Sequence, residues 1–412
     1  MHARLRLDLS RTDVAGALAA GLFAGNRARR ARALEQRFAP GEAHVALSVR
    51  SGFDLYLEAL ALPEGSEVLV SGLTIPHMTQ LLEAHGLCVV PFALDPRTLA
   101  PAAGELERKA TARTRAVLFA HLFGARADLG PSLALARARG WLFFEDCAQA
   151  WSGDDWRGAP TSDLALFSFG LIKTATAIQG GILCVRDGRV RARMEELAAR
   201  WPVQTRADFV KRAAKATALL ELGRPAAFAR YARHCARRGR ELDDVLHAAT
   251  RGFPGADWRE RLQRRPGAGL LAVLARRLAQ PQRSLASARR ATGEALLAAL
   301  GPEVEVLGRG APERHHWVFG VGCDEPAALV SALRALGFDA TARSSLVPVA
   351  PTRGGEPLAE SRRLLARLVY VPLVPELAPA RLVALADTIR AHARVRELFP
   401  PAPAGMVQRA DG

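Results

Sequence analysis

Between Phe143 and Gly181 the sequence sets a carboxylate, an amide, a hydroxyl and a lysine at the ends of consecutive β-rich runs. Asp146 ends the run Trp141–Glu145, with Gln149 three residues on. The next run closes in Phe167-Ser168-Phe169, and Lys173 follows before the pair Gly180-Gly181. A lysine amine can condense with an aldehyde cofactor as a Schiff base, and burial lowers its pKa enough to make it a base. A carboxylate facing a pyridine nitrogen keeps that nitrogen protonated, which makes the ring an electron sink. Ser168 can donate to a phosphate, and paired glycines let the next backbone approach closely. Upstream, Val49-Arg50-Ser51-Gly52 closes one run and opens a helix, whose N–H groups and Ser51 hydroxyl favour a phosphate dianion. Singly, Asp146 and Ser51 read equally as helix N-caps, Lys173 as a solvated loop lysine and the glycines as a turn. In this order, on these elements, they read as one cofactor site.

Such a site needs several strands ending on one side. From Val45 to Val185 short β-rich runs alternate with amphipathic stretches, the signature of an α/β sheet with crossover helices. Ligands of such sheets bind beyond the carboxyl ends of the strands. Strands are expected at Val45–Val49, Glu67–Ser71, Cys88–Phe92, Ala116–His121, Trp141–Glu145, Leu164–Ser168 and Gly181–Val185. Helices are expected at Ser51–Ala61, His77–His85 and Leu129–Ala138, the last two stopped by Gly86 and Gly140. After a helix at Val190–Ala199 comes a long basic, almost wholly helical stretch to about Arg261, then a helical stretch over Ala268–Leu300. Alternation returns with a strand at Trp317–Val321, a helix at Glu325–Leu336, a strand at Leu368–Val371 and a helix at Ala378–Ala393. The chain thus divides into an N-terminal helical arm (1–44), a large domain (45–285) with a basic insert at about 200–261, a small C-terminal α/β domain (286–398) and a disordered tail (399–412) rich in proline.

With 412 residues, 49% apolar and 24% charged, the chain can bury a full core. Its net charge of +16 suits a phosphorylated or nucleotide-bearing substrate, an anionic membrane or simply an Arg-rich solvated surface. No zinc-finger spacing, basic-region heptad or RNA-binding aromatic motif accompanies it, so no nucleic-acid partner is expected. Five cysteines without CxxC spacing read as core residues of a reducing cytoplasm, and no metal site is expected. The apolar stretch Val14 to Gly25 is too short and too closely flanked by charge for a signal peptide, and none is long enough to span a bilayer.

The chain resembles the DegT/DnrJ/EryC1/StrS sugar aminotransferases, pyridoxal-phosphate (PLP) enzymes of fold type I. The resemblance is carried by Leu34-Glu35-Gln36-Arg37-Phe38-Ala39, Arg50-Ser51-Gly52, Glu67-Val68-Leu69-Val70, Ala120-His121-Leu122-Phe123-Gly124, Glu145-Asp146-Cys147-Ala148-Gln149-Ala150, Phe167-Ser168-Phe169 and Lys173 with Gly180-Gly181. A weaker match surrounds Val371-Pro372-Leu373. It implies a large domain with a mainly parallel sheet and helices on both faces, plus a smaller C-terminal α/β domain. It also implies that Lys173 holds the cofactor as a Schiff base and that Asp146 pairs with the pyridinium nitrogen. Gln149 would lie against the ring and phenolic oxygen, and Ser168, Ser51 and the Gly52 backbone would hold the phosphate. A related branch carries histidine in place of this lysine and performs dehydration; Lys173 argues against it.

Two positions depart from the family pattern. An aromatic residue usually stacks on the cofactor from the segment matching Leu73-Thr74-Ile75-Pro76-His77; here Ile75 holds that place, and His77 is either the stacking group or a helix-face histidine. The position from which members often send an asparagine into the neighbouring subunit's phosphate site is Gln263. The insert carries Lys211, Arg212, Lys215, Arg230, Arg233, Arg237, Arg238 and Arg240 among apolar residues, a pattern that fits peripheral contact with an anionic membrane, a clamp on a phosphorylated substrate or a solvated helix pair. The expected activity is conversion of a keto group (keto-sugar, nucleotide-linked sugar or a related secondary-metabolite or lipid-linked ketone) to an amine with an amino-acid donor, in a cytoplasmic homodimer. The alternatives are a regulatory PLP-binding protein that does not transaminate and another PLP reaction such as elimination or decarboxylation. Arg343 and Arg353 are either carboxylate ligands or surface arginines.

Overall fold

Runs rich in Val, Leu, Ile and Phe favour extended chain. Seven of them pair into one sheet in the computed structural model, which describes residues 1–393 apart from 5, 24, 251–254, 256, 280–285 and 376. The strands are β1 (Ala43–Ala46), β2 (Glu67–Ser71), β3 (Cys88–Phe92), β4 (Thr114–Ala120), β5 (Leu142–Asp146), β6 (Leu164–Ser168) and β7 (Gly181–Val185). Their lateral order is β3-β2-β4-β5-β6-β7-β1. Neighbours from β3 through β6 are parallel, and β7 runs antiparallel to both β6 and β1. Every residue of β2 and β7 is buried, as expected where both faces of a sheet are covered. β2, β3, β6 and β7 coincide with the strands expected from sequence.

The expected strand Val45–Val49 is corrected. β1 stops at Ala46, and Ser48 caps helix α3 (Val49–Leu60), accepting the Ser51 N–H on its hydroxyl. A β-branched Val49 looked like strand, but the cap chemistry of Ser48 decides the boundary. A Cβ on Gly181 would lie 2.5 Å from the Val49 nitrogen, so only glycine lets β7 pass under the start of this helix.

Helices α1 (Arg11–Phe23) and α2 (Arg27–Phe38) precede the sheet, and α4 (Gly188–Ala199) follows it. The basic insert forms α5 (Arg206–Leu222), α6 (Pro225–Arg237), α7 (Leu242–Thr250) and the short α8 (Trp258–Leu262). Its apolar residues face inward: Phe209, Ala213 and Ala216 of α5 are buried, as are Phe228 and Cys235 of α6, while Lys211, Lys215, Arg230, Arg233 and Arg237 stay exposed. The single helical stretch expected over Ala268–Leu300 is two helices, α9 (Ala268–Leu278) and α10 (Ala286–Leu300).

C-terminal to α10, strands β8 (Phe319–Gly322) and β9 (Leu368–Val371) pair antiparallel. They share a core of Leu296, Phe319, Leu329, Phe338, Leu385 and Ile389 with the helices around them. Val347 and Pro348 pair antiparallel with Thr74 and Leu73, which ties this region to the loop after β2. All five cysteines are buried and unpaired. Among the described residues no helix is long and apolar enough to cross a membrane. The expected disordered tail lies outside the described residues.

Candidate active site

Lys173 sits in the loop between β6 and β7. The loop is pinned from within by Lys173 N–H to Gly170 C=O (2.9 Å), Ala177 N–H to Phe169 C=O (3.0 Å) and Phe169 N–H to Gly180 C=O (2.9 Å). Three distant elements hold it from outside. Asp8 accepts the Ala175 N–H (2.7 Å), Arg289 donates to the Thr174 hydroxyl (3.1 Å), and the Trp317 indole N–H donates to Ile172 C=O (3.0 Å). Two non-glycine residues of the loop, Ala175 (φ 51°) and Ile178 (φ 75°), adopt left-handed backbone, which is strained for a β-branched side chain.

The Lys173 amine lies 4.1 Å from the centre of the Trp317 ring. Desolvation pulls its pKa from 10.5 down to about 8; Asp146 opposes the fall and Arg50 adds to it. Asp146 ends β5 at the carboxyl edge of the sheet and accepts the Ala148 N–H on Oδ1 (2.9 Å). Desolvation raises its pKa, while that N–H, Lys173 and His121 hold it down. Beside it, buried His121 faces Glu145, with Nε2 3.0 Å from Oε2. The His121 Nδ1 accepts the Ala127 N–H, so the proton sits on Nε2 and is donated to Glu145, whose other oxygen accepts the Ala159 N–H. His121, Glu145 and Cys147 lie close enough to ligate an ion, but these bonds already engage the imidazole and carboxylate.

The start of α3 forms the other half of the site. The Ser48 and Ser51 hydroxyls are 2.9 Å apart, and Ser51 is fully buried. Gly52 lets α3 pack closely on β7, since a Cβ there would meet the Leu183 side chain at 2.1 Å and force it to shift. Arg50, next to Ser51, is desolvated until its pKa falls to about 10, and its charge reaches Lys173. Ser168 closes the ring of groups: a Cβ on Gly170 would touch the Ser168 hydroxyl (3.6 Å) and the Lys173 Cγ (3.8 Å) alike. Gln149 accepts the Phe123 N–H on its carbonyl oxygen (2.9 Å) and lines a cavity of about 220 Å³ with Ile172, Arg289, Trp317 and Tyr370. A larger cavity of about 490 Å³, between α2, α4 and Arg264–Pro266, contains none of these groups.

The expected residues are therefore brought together unevenly. Lys173, Asp146, Gln149, Ser168 and Ser51 surround one region at the carboxyl edge of the sheet. His77 stands beside this region, with its Nδ1 2.9 Å from an Arg50 guanidinium nitrogen and its ring 4.7 Å from that of Trp258. Gln263 donates to Asp54 of its own α3 (3.1 Å), where His85 and Arg259 also converge. Sequence reading left Trp317, Arg50 and Arg289 without a place in the site. Trp317 and Arg289 lie more than a hundred residues from Lys173 in the chain, so no local pattern announces them.

The residues present fit PLP. The observation that tests the fit is an amine with its pKa drawn down to about 8 beside a desolvated carboxylate, with hydroxyls and a guanidinium at a nearby helix N-terminus.

Residues 12–211 match the model of the DegT/DnrJ/EryC1/StrS aminotransferase family. The chain is 36% identical over 160 residues to an L-glutamine:2-deoxy-scyllo-inosose aminotransferase of Streptomyces fradiae, covering 37% of each chain. It is 35% identical over 146 residues to a GDP-perosamine synthase of Caulobacter vibrioides, covering 35% of this chain and 39% of that one. The match thus spans less than two-fifths of these relatives' own length. Among solved structures, the aminotransferase TlmJ from Streptoalloteichus hindustanus superposes with a TM-score of 0.67 at 20% identity, covering 93% of this chain and 96% of that one. The sugar aminotransferase CalS13 from Micromonospora echinospora gives 0.67 at 21% identity, covering 95% and 100%. At such identities the superpositions speak for the fold, and the sequence match speaks for descent. The stretch 12–211, just under half of the chain, is thus similar to the DegT/DnrJ/EryC1/StrS aminotransferase family.

Proposed function

We propose that this chain is a PLP-dependent aminotransferase that converts a keto group to an amine with an amino-acid donor. The acceptor is a keto-sugar, a nucleotide-linked sugar or a related polyol ketone. The observation that carries the reading is Lys173, an amine desolvated to a pKa of about 8 and set against Asp146. The named activities of the matched relatives, on 2-deoxy-scyllo-inosose and in GDP-perosamine synthesis, support the substrate class.

Bound here, PLP would supply an electron sink for the bond broken at the amino-bearing carbon. Lys173 would hold the cofactor through its amine and, once free, carry a proton on Nζ between substrate and cofactor carbons. A pKa near the working pH suits both directions of that transfer. Asp146 would keep the pyridine nitrogen protonated. Ser51, Ser168 and Arg50 would hold the phosphate at the start of α3, where N–H dipoles and the guanidinium favour a dianion. Gln149 would meet the ring edge, and Trp317 would exclude water from the Lys173 amine. Following the family's habit of building the site between subunits, the working form is proposed to be a cytoplasmic homodimer. Contact of the insert with a membrane would rest on its exposed cations, because Phe209 and Phe228 are buried.

The test is the absorbance spectrum of the purified protein before and after L-glutamate or L-glutamine, with Lys173→Ala alongside. A yellow band that bleaches in the wild type and is missing from the variant is expected. A band that no amino acid bleaches refutes transamination, and a protein without the band refutes the cofactor.

A further inference from the structure

Arg289 stands in the first turn of α10 and crosses to the loop that carries Lys173, donating to Thr174 at 3.1 Å. It lines the same 220 Å³ cavity as Gln149 and Trp317. Among the described residues it makes no ion pair, and its Nε is buried without a hydrogen-bond partner. Of the other arginines of this cavity, Arg4 is paired with Asp243 and Arg343 with Asp244, while Arg6 adds its positive charge to the surroundings of Arg289. Asp8, the acid whose charge reaches Arg289, is already bonded to the Ala175 N–H and paired with Arg277. A guanidinium stays charged at every working pH, and a desolvated cation with an unused donor calls for an anion. Its planar fork matches a carboxylate.

We propose that Arg289 binds the carboxylate of the amino-acid donor and so brings the donor's amino group to Lys173. The proposal rests on the aminotransferase reading above and adds the group that recognises the donor. An amino acid carries its carboxylate one bond from the amine-bearing carbon. A fixed anchor beside Thr174 therefore positions that carbon at the neighbouring residue, Lys173.

The experiment uses the holoenzyme as wild type, Arg289→Gln and Arg289→Lys. Calorimetric titration with glutarate, a dicarboxylate without an amine, is compared with 1,5-pentanediol, its uncharged counterpart. In the wild type glutarate binds and the diol does not; in Arg289→Gln glutarate binding weakens tenfold or more, the scale of a lost charged hydrogen bond. The half-saturating L-glutamate concentration for bleaching rises by a similar factor, with Arg289→Lys between the two. Unchanged glutarate affinity in Arg289→Gln, with the cofactor band intact, overturns the proposal. Should Arg289→Gln lose the band through a slackened loop, Arg289→Ala is titrated with glutarate with and without added guanidinium ion. Restored binding supports carboxylate recognition, and no restoration overturns it. A wild-type band that no amino acid bleaches, with glutarate still held through Arg289, would refute the aminotransferase reading and leave the carboxylate site standing.

Discussion

Replacing Trp317 with alanine separates two effects that act oppositely on Lys173. The indole face stabilises the ammonium form by about 0.5–2 kcal/mol, which alone would raise the amine's pKa. The indole also keeps water from the amine, which lowers it. The net fall from 10.5 to about 8 amounts to about 3 kcal/mol in favour of the neutral form, so exclusion of water outweighs the ring's attraction. At pH 7 an amine with a pKa of about 8 is neutral in about one molecule in ten, against about one in three thousand at 10.5, an enrichment of about 300-fold. Trp317→Ala should therefore raise the midpoint of Lys173 titration by at least about one pH unit, with 10.5 as its ceiling. The assay is the pH dependence, in cofactor-free protein, of Lys173 acylation by a small active ester, read by mass spectrometry. The midpoint is the quantity to compare, because opening the site also changes access and hence the absolute rate. A midpoint still near 8 would mean that other residues keep the amine dry. A midpoint below 8 would mean that the ring's attraction was the stronger effect, and would refute the exclusion of water by Trp317.

Asp146→Asn removes the charge that opposes the fall, so the same assay should place the Lys173 midpoint below 8. Lys173→Met should stabilise the cofactor-free protein at pH 7, because a folded-state pKa below the unfolded one is a penalty fully present below pH 8 and relieved as pH rises to 10.5. The ceiling is about 3 kcal/mol, and about half of that is expected because Lys173 is partly exposed. Urea unfolding at pH 7 and 10.5 should show the gain shrinking at the higher pH, and a gain equal at both would refute the linkage. Gly181→Ala forces a Cβ to 2.5 Å from the Val49 nitrogen and should cost about 1–3 kcal/mol, with weakened retention of the cofactor phosphate. Phe209→Ala should cost about 3–5 kcal/mol by urea unfolding while leaving the cofactor band in place, since Phe209 belongs to the packed face of α5.

What the sequence made legible was the part of the site that local order encodes. Asp146 and Ser168 end strands, Lys173 follows within one short loop, and Ser51 opens a helix, so strand ends and cap chemistry place them without knowledge of distant contacts. Even there, Val49 drew the first strand too far, because β propensity says nothing of a serine hydroxyl waiting to cap the next turn. His77 shows the opposite limit. Its position after Ile75 leaves a ring over the cofactor and a helix-face histidine both open, and its contacts with Arg50, 27 residues before it, and Trp258, far beyond it, are set by long-range packing. The insert was legible as basic and helical, while the burial of its aromatic residues depended on long-range packing.

The residues that would carry PLP chemistry and those that set its conditions come from different parts of the chain. Lys173, Asp146, Gln149, Ser168 and Ser51 all fall within residues 12–211, the stretch that matches the family. Asp8, Arg289 and Trp317, which fasten the Lys173 loop from outside, all lie beyond it. The left-handed backbone at Ala175 and Ile178 is costly and persists only where surrounding contacts over-determine it. Those contacts come from these three residues and from the loop's own bonds to β6 and β7. A chain can therefore keep the family's cofactor constellation and still alter the acidity of its lysine, the water around it and the anion it receives, by changing residues outside the matched stretch. On this reasoning donor and acceptor preference should follow Arg289, Trp317 and the segment around Asp8 more closely than identity within residues 12–211.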